Sequence, residues 1–198
     1  MFIELTEILR CPNSHPESYL VAAPIVMDGR RIVRGVVGCP ECKAEFPIVD
    51  GVAYFGPPAP PAPAVLSPAY DVEGLAAFLN LSGPGGYAVL AGATARFGAA
   101  IVAVVPGVHF VAVNPPPGVA PSPMLSLLRA PRGLPLKSAS VRGVALGADL
   151  TAEPWPGEAA RVLLPGLRLV VEDERASSEG LTELARGAGL LVGEKRPA

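Results

Sequence analysis

The hydrophobic residues of this chain fall into two blocks that a proline-rich run separates. In the first block, Asp-Gly dipeptides interrupt short apolar runs at Asp28-Gly29 and Asp50-Gly51, a pattern typical of hairpin turns. The predicted strands are Tyr19–Met27, Arg31–Val37, Glu45–Val49 and Val52–Phe55, after a short helical turn over Glu4–Arg10. This block is a small β-rich unit, below the size at which a core alone is comfortably stable.

The second block alternates between strand and helix. Strands are predicted over Tyr87–Leu90, His109–Val113, Val141–Leu146, Leu167–Glu172 and Leu190–Glu194. Helices are predicted over Val72–Leu81, Arg96–Val105, Met124–Arg129, Glu158–Leu163 and Ser178–Gly187. Apolar strands that alternate with helices are typical of a mostly parallel sheet, so the predicted fold class is α/β.

The run between the blocks begins Gly56-Pro57-Pro58 and continues to Pro63, with prolines at five of the seven positions from 57 to 63. Proline fixes φ and removes a backbone donor, which favours an extended polyproline II segment. We therefore predict a module at residues 1–56, a linker at 57–68 and a second domain at 69–198. The alternative is that the proline-rich run lies against the surface of one domain.

Charge and composition exclude some classes of function. The net charge is −2 and no basic stripe is present, so direct nucleic-acid binding is not expected. Tyr87–Val105 is nearly all apolar but contains Arg96, and a charge at the centre of a spanning helix costs about 2.5–3.5 kcal/mol. We predict buried elements there and no membrane span. The first residues lack a secretory signal pattern, so the expected location is the cytoplasm.

Three cysteines carry the clearest candidate chemistry. Cys39 and Cys42 are separated by two residues, a spacing that lets both thiolates face one tetrahedral metal. Cys11 provides half of a second such pair, but Ser14 stands where its cysteine partner is expected. His15 follows and could supply a nitrogen, giving a structural zinc site of three cysteines and one histidine. The alternative is a set of buried thiols without a metal.

The N-terminal block resembles the small zinc-ribbon family of methyltransferase activator subunits over residues 1–56. The resemblance is in Leu9-Arg10-Cys11-Pro12, in Cys39-Pro40-Glu41-Cys42 and in Glu45-Phe46-Pro47-Ile48-Val49-Asp50-Gly51-Val52. It implies a module that binds a methyltransferase, covers apolar surface and stabilises it without performing chemistry. Ser14 departs from the family's pattern.

The second block resembles class I S-adenosylmethionine-dependent methyltransferases over about residues 70–196. Leu134–Val141 carries part of the likeness, and Glu158–Val171 carries a helix ending in Leu-x-Pro-Gly before an apolar strand. Gly85–Gly92 falls where that family has its glycine-rich cofactor turn. The resemblance implies a shortened, Rossmann-like, methyltransferase-type sheet. Only Ala130–Gly133 separates the predicted helix at Met124–Arg129 from Leu134, which leaves no room for the family's usual third strand and its helix.

The resemblance also implies where a cofactor would bind. Gly92 and Thr94 would line the cofactor turn, and Asn114 would stand at the position of the ribose-binding acid. An amide lacks the charge that strengthens hydrogen-bond acceptance, and the turn has one glycine where several are usual. Arg142 or Gly143 lies where, in that family, an aspartate often follows the entry of the fourth strand. S-adenosylmethionine binding is therefore not expected.

Other polar residues are assigned structural roles. His109 begins an apolar strand and is predicted to be a buried structural histidine. Glu172-Asp173-Glu174 is predicted to be a solvated rim, and Asp149 and Glu153 are assigned to a surface loop.

Three hypotheses follow. The first is a non-catalytic pseudo-methyltransferase that acts as a scaffold, activator or stabilising partner, with a methyltransferase or a second copy as partner. The second is a divergent S-adenosylmethionine-dependent methyltransferase with a built-in activator module. The third is a regulatory module whose fold depends on zinc.

Overall fold

The computed structural model describes residues 1–57, 70–177 and 179–197. The strands are β1 (Val21–Asp28), β2 (Arg31–Gly38), β3 (Glu45–Val49), β4 (Val52–Tyr54), β5 (Tyr87–Ala91), β6 (His109–Val113), β7 (Leu125–Arg129), β8 (Val141–Leu146), β9 (Leu163–Val171), β10 (Leu181–Gly187) and β11 (Leu190–Lys195). The α-helices are α1 (Val72–Leu79), α2 (Gly98–Val104) and α3 (Trp155–Val162). Three 3-10 helices span Ile3–Glu7, Gly92–Phe97 and Ala148–Leu150. The predicted linker lies outside the described residues from residue 58 onward.

The described strands form one sheet in the order β1-β2-β3-β4-β7-β6-β5-β8-β9-β11-β10. Strands β7, β6, β5, β8 and β9 are parallel, in the 3-2-1-4-5 order of a doubly wound Rossmann-like sheet. Strands β11 and β10 add an antiparallel edge. The predicted α/β class is confirmed.

Strands β1 to β4 form the predicted β-rich unit as an antiparallel meander. The turn between β3 and β4 consists of Asp50 and Gly51, both with positive φ (50° and 78°). This is the conformation that a two-residue hairpin turn requires and that Asp-Gly adopts readily. The local sequence therefore determines this hairpin.

Two predicted helices are wrong. Met124–Arg129 contains strand β7, in which four of the five residues are buried. Ser178–Gly187 contains strand β10, which pairs with β11 across an Ala188-Gly189 turn; Ser178 itself is outside the described residues. Both are short runs, for which spacing alone does not distinguish helix from strand.

Strand β7 also corrects the expectation that a third strand has no room. It pairs in parallel with β6 and takes that place in the sheet. The chain is shortened in its connections instead, because neither 114–124 nor 130–140 contains a helix.

The N-terminal unit is joined to the Rossmann-like sheet by parallel pairing of β4 with β7. Val52, Ala53 and Tyr54 align with Leu127, Leu128 and Arg129. Ala53 and Leu128 are fully buried in a core cluster that contains residues of both parts of the chain. The division at residue 56 stays a prediction, but the two parts share one sheet and one core.

The two faces of the sheet are covered by different elements. Helices α1 and α2 contribute Leu75, Leu79 and Ile101 to the core cluster on one face. Helix α3 and the N-terminal 3-10 helix contribute Ala159, Val162 and Leu5 to the cluster on the other. In the described part of the chain, no helix is long and apolar enough to cross a membrane.

A network of ion pairs fixes the N-terminal unit against α3. Glu158 of α3 pairs with Arg10 at 3.3 Å and with Arg161 at 2.7 Å. Arg161 donates to the carbonyls of Leu134 and Leu136, and the N–H of Leu134 donates to Glu158. The Glu158 side chain is only 18% exposed, so solvent screens these contacts weakly.

We predict that Glu158→Gln lowers the free energy of unfolding by about 1–3 kcal/mol, because Arg10 and Arg161 lose their shared carboxylate. Burial raises the pKa of Glu158, but Arg161, the Leu134 N–H and Arg10 together outweigh this and hold the pKa below its usual 4.5. A lowered pKa stabilises the fold above the unfolded-state pKa, and this contribution is lost as the pH falls through the folded-state pKa. The difference in free energy of unfolding between Glu158→Gln and wild type should therefore be largest at neutral pH and should shrink below pH 4.5.

Urea unfolding at neutral pH and at about pH 3 measures this difference. Glu179→Gln is the control, since Glu179 is exposed. Equal stability of the two variants at neutral pH would show that the network does not stabilise the fold.

Candidate functional site

The structure brings the four predicted metal ligands together. The ligand atoms of Cys11, His15, Cys39 and Cys42 all lie within 4.8 Å of one another. The Sγ atoms of Cys11 and Cys42 are 3.7 Å apart, and Nε2 of His15 is 3.5 Å from Sγ of Cys39. A tetrahedral zinc with Zn–S bonds of ~2.3 Å places two sulfurs roughly 3.8 Å apart. The donor set and its spacing fit a zinc ion.

The surroundings of His15 and Cys42 favour metal binding, whereas the burial of Cys11 opposes loss of its proton. Nδ1 of His15 is 2.8 Å from the carbonyl of Pro16, which can only accept, so Nδ1 carries the hydrogen and Nε2 faces the thiols. The backbone N–H of Ala44, followed by the Asn13 amide, lowers the pKa of Cys42 to about 6. Burial raises the pKa of Cys11 to about 12. His15 therefore completes the set that Ser14 interrupts in the sequence.

The second candidate site lies where β5 and β8 end. Gly92 follows β5 with φ of +64°, and the next residue, Ala93, donates its N–H to Oδ1 of Asp149 at 2.7 Å. A Cβ at Gly92 would overlap the Asp149 carboxylate. A Cβ at Gly147 would likewise overlap the backbone nitrogen of Ala93. The turn expected to approach a cofactor is thus covered by the chain's own acid.

Thr94 and Asn114 also have internal partners. The Thr94 side chain is fully buried and its hydroxyl is 2.9 Å from the Ala91 carbonyl and 3.0 Å from the Ala145 carbonyl. Nδ2 of Asn114 donates to the Ala130 carbonyl at 2.7 Å, and Oδ1 accepts from the Ala130 N–H at 2.9 Å. Gly92, Thr94 and Asn114 therefore lie at one edge of the sheet, and the side chains of Thr94 and Asn114 are engaged in hydrogen bonds within the chain.

A buried ion pair lies at the same edge. Oε1 of Glu172, which follows β9, accepts from Arg96 and from the Tyr70 hydroxyl, each at 2.6 Å. Its other oxygen accepts from the N–H of Ala148 at 3.2 Å. The Glu172 side chain has no exposed surface, so the predicted solvated rim is wrong at this residue. The Arg96 guanidinium also lies 4.3 Å from the centre of the Phe97 ring.

Arg142 lies away from this edge. It is in the first half of β8, and its guanidinium donates to the carbonyls of Gly83 and Gly85 at 3.1 and 2.6 Å. Arg142 therefore does not stand at the position of a cofactor-binding acid, because a parallel strand presents ligand-binding residues at its carboxyl end.

His109 is buried within the structure. Its Nε2 lies 2.9 Å from the Ser126 hydroxyl, and its ring stacks on Phe2 at 4.6 Å. Burial, with a smaller contribution from the charge of the N-terminal amine, lowers the pKa of His109 to about 4. These contacts agree with a structural histidine.

The sequence interpretation missed Asp149 and Glu172. Both follow apolar strands that pair in parallel with their neighbours, β8 and β9. An acid within the few residues after a buried parallel strand was the signal that could have identified them.

Comparisons with known proteins give limited similarity. No protein-family model matches the chain, and no curated protein matches it. The antibiotic-resistance methyltransferase Kmr is similar in structure, with a TM-score of 0.45 and 14% identity over 66% of this chain and 95% of that one. A chain from the complex between the Haloferax volcanii Trm112 methyltransferase activator and a methyltransferase is also similar in structure. It gives a TM-score of 0.47 and 15% identity over 64% of this chain and 90% of that chain. Such similarity transfers no activity, ligand or partner to this chain.

We predict that Asn114→Asp destabilises the protein although it places an acid where the resemblance calls for one. The carboxylate cannot donate to the Ala130 carbonyl and would repel it, which should cost about 1–3 kcal/mol. Asn114→Ala is the matched variant that removes both hydrogen bonds without adding a charge. Thermal and urea unfolding of the three proteins measure the effect, and an Asn114→Asp protein as stable as wild type would contradict it.

Proposed function

We propose that this chain is a non-catalytic, methyltransferase-like protein that acts as a scaffold or stabilising partner in a protein complex. The observation that carries this proposal is the carboxylate of Asp149 on the N–H of Ala93, directly above Gly92. In doubly wound folds the backbone donors of the first turn after a strand bind the ligand's polar group. Here the Asp149 carboxylate accepts from such a donor, the Ala93 N–H, in the place of a ligand.

A ligand would have to displace several contacts at once. Asp149 is held by the chain itself, so it competes with a free ligand at a high effective concentration. Asn114 would have to release two hydrogen bonds to Ala130, and Thr94 is fully buried. The nearby Glu172 is already neutralised by Arg96. These contacts favour the non-catalytic hypothesis over a divergent methyltransferase.

The N-terminal unit supports a stabilising role within the same chain. Through β4 it covers the edge of β7 that would otherwise expose unpaired backbone groups. The activator family that this unit resembles covers apolar surface of a methyltransferase, and here the covered surface belongs to the second half of the chain. A further partner, either a methyltransferase or a second copy, would have to use another surface.

We also propose that Cys11, His15, Cys39 and Cys42 hold a structural zinc ion. With all four positions supplied by the protein, such an ion cross-links the segment around residue 11 to the β2–β3 turn and has no open position for a substrate. The three cysteines are free thiols in the structure, which suits the reducing cytoplasm that we propose as the protein's location.

Calorimetry with S-adenosylmethionine and its demethylated product tests the non-catalytic proposal. We predict no heat of binding at millimolar ligand for the wild-type protein, since the Ala93 N–H next to Gly92 already donates to Asp149. Asp149→Ala should lose stability without gaining affinity, because Asn114 and Thr94 remain engaged. Micromolar binding by the wild type would overturn the proposal in favour of the divergent methyltransferase. Circular dichroism establishes that each sample is folded.

Metal analysis of the purified protein tests the zinc proposal. We predict about one zinc per chain, lost in Cys39→Ser and reduced in His15→Ala, because each removes a ligand. Ser14→Ala is the matched control: Ser14 is exposed beside His15, and this variant should retain the metal. A His15→Ala protein with full occupancy, or a Ser14→Ala protein without zinc, would show that the fourth ligand is misassigned.

A further inference from the structure

The outward-facing residues of β1, β2 and β3 form an apolar surface that no element within residues 1–57, 70–177 and 179–197 covers. Their inward-facing neighbours, among them Ile32 and Ile48, are buried in the shared core. We call the opposite side the outer ribbon face and define it by Val21, Ala23, Val36, Pro47 and Val49. Val21 is 53% exposed and Val49 is 47% exposed.

The outer ribbon face continues the side of the sheet that α1 and α2 cover elsewhere. Val49 pairs with Val52, and Val52 packs against the core cluster beneath those helices. Next to β4 the helical layer ends, and the apolar side chains of β3, β2 and β1 lie at the surface in the described part of the chain. A shallow groove of about 430 Å³ lies here, lined in part by Val21, Val36 and Glu45. Contiguous exposed apolar side chains of this kind make the outer ribbon face a candidate interaction surface.

The free edge of β1 is a poorer contact than the face. Pro24 lies within the strand, and the pairing of β1 with β2 is irregular on both sides of Val26. Proline and bulges are the features by which edge strands avoid pairing with another strand. A partner is therefore expected to pack on the outer ribbon face and not to extend the sheet.

Charge indicates which partner. Glu45 is opposite Gly38 at one end of the face, and Arg34 is opposite Val26 at the other end. Both side chains are exposed, and neither forms an ion pair within the ranges that the structure describes. On β2, Val36 lies midway between Arg34 and Gly38, the residue opposite Glu45. The two charges are therefore separated by roughly 13 Å along the strands.

A two-fold axis near Val36 would exchange these two ends. It would place Glu45 of one copy opposite Arg34 of the other, twice, with apolar rows between them. A surface with an acidic end, an apolar centre and a basic end is complementary to itself, as an isologous dimer requires.

We propose that the chain forms a two-fold symmetric homodimer through the outer ribbon face. The dimer rests on the proposed function, since it names a second copy as the partner of the scaffold. Each copy buries the apolar rows of the other and pairs its Glu45 with the partner copy's Arg34.

Sedimentation velocity of the full chain over a wide concentration range tests the dimer. Wild type should sediment as a dimer, and Val21→Lys should weaken association at least about tenfold, because it replaces an exposed apolar side chain of the outer ribbon face with a charge. Leu184→Lys is the matched control, since Leu184 is an exposed leucine (45%) on β10 at the far edge of the sheet. It should leave the dimer unchanged.

Charge reversal provides a second test that does not depend on the apolar substitution. Arg34→Glu and Glu45→Arg should each weaken the dimer about tenfold, because like charges then face each other. The double variant should recover wild-type association. A wild-type monomer at all concentrations, or a dimer that none of these changes affects, would overturn the proposal.

The calorimetric result separates this proposal from the proposed function. A dimer that binds S-adenosylmethionine would refute the non-catalytic function and support the interface. A monomer that binds no cofactor would refute the interface and leave the non-catalytic function standing.

Discussion

The parallel pairing of β4 with β7 is the interaction on which the rest of the structure depends. Three residue pairs connect an antiparallel meander to a Rossmann-like sheet, and the connection removes the exposed edge of each. Because Ala53 and Leu128 are buried in a core with residues from both parts, separating the parts would expose apolar surface on both sides. The ion pairs of Glu158 with Arg10 and Arg161 reinforce the same contact from α3.

At the carboxyl edge of the parallel strands, polar groups that could contact a ligand contact one another instead. Asp149 joins the end of β8 to the turn after β5, Asn114 joins the ends of β6 and β7, and Glu172 joins β9 to Arg96. The Rossmann-like architecture is thus present, while these polar side chains connect the loops and strand ends of the same edge. This agrees with the general observation that a fold does not by itself determine a function.

Local chemistry made some of this predictable from the sequence. Asp50-Gly51 forms the turn of one predicted hairpin, and Gly29 with Arg30 forms the turn of the other, directly after Asp28. The spacing of Cys39, Cys42, Cys11 and His15 predicts the ligand cluster. The helices predicted at β7 and β10 were wrong because tertiary pairing, and not spacing, decides the structure of short runs. Asp149 was assigned to a surface loop and Glu172 to a solvated rim, since their partners Ala93 and Arg96 are 56 and 76 residues away and only the fold brings them together.

The carboxylate above Gly92 has a consequence for how the protein responds to its surroundings. A protein that binds a metabolite is stabilised in proportion to the logarithm of that metabolite's concentration. Here the anion is part of the chain and is always present in equal number to the site. If no cofactor binds at this edge of the sheet, as we propose, its stability does not vary with the concentration of any such metabolite.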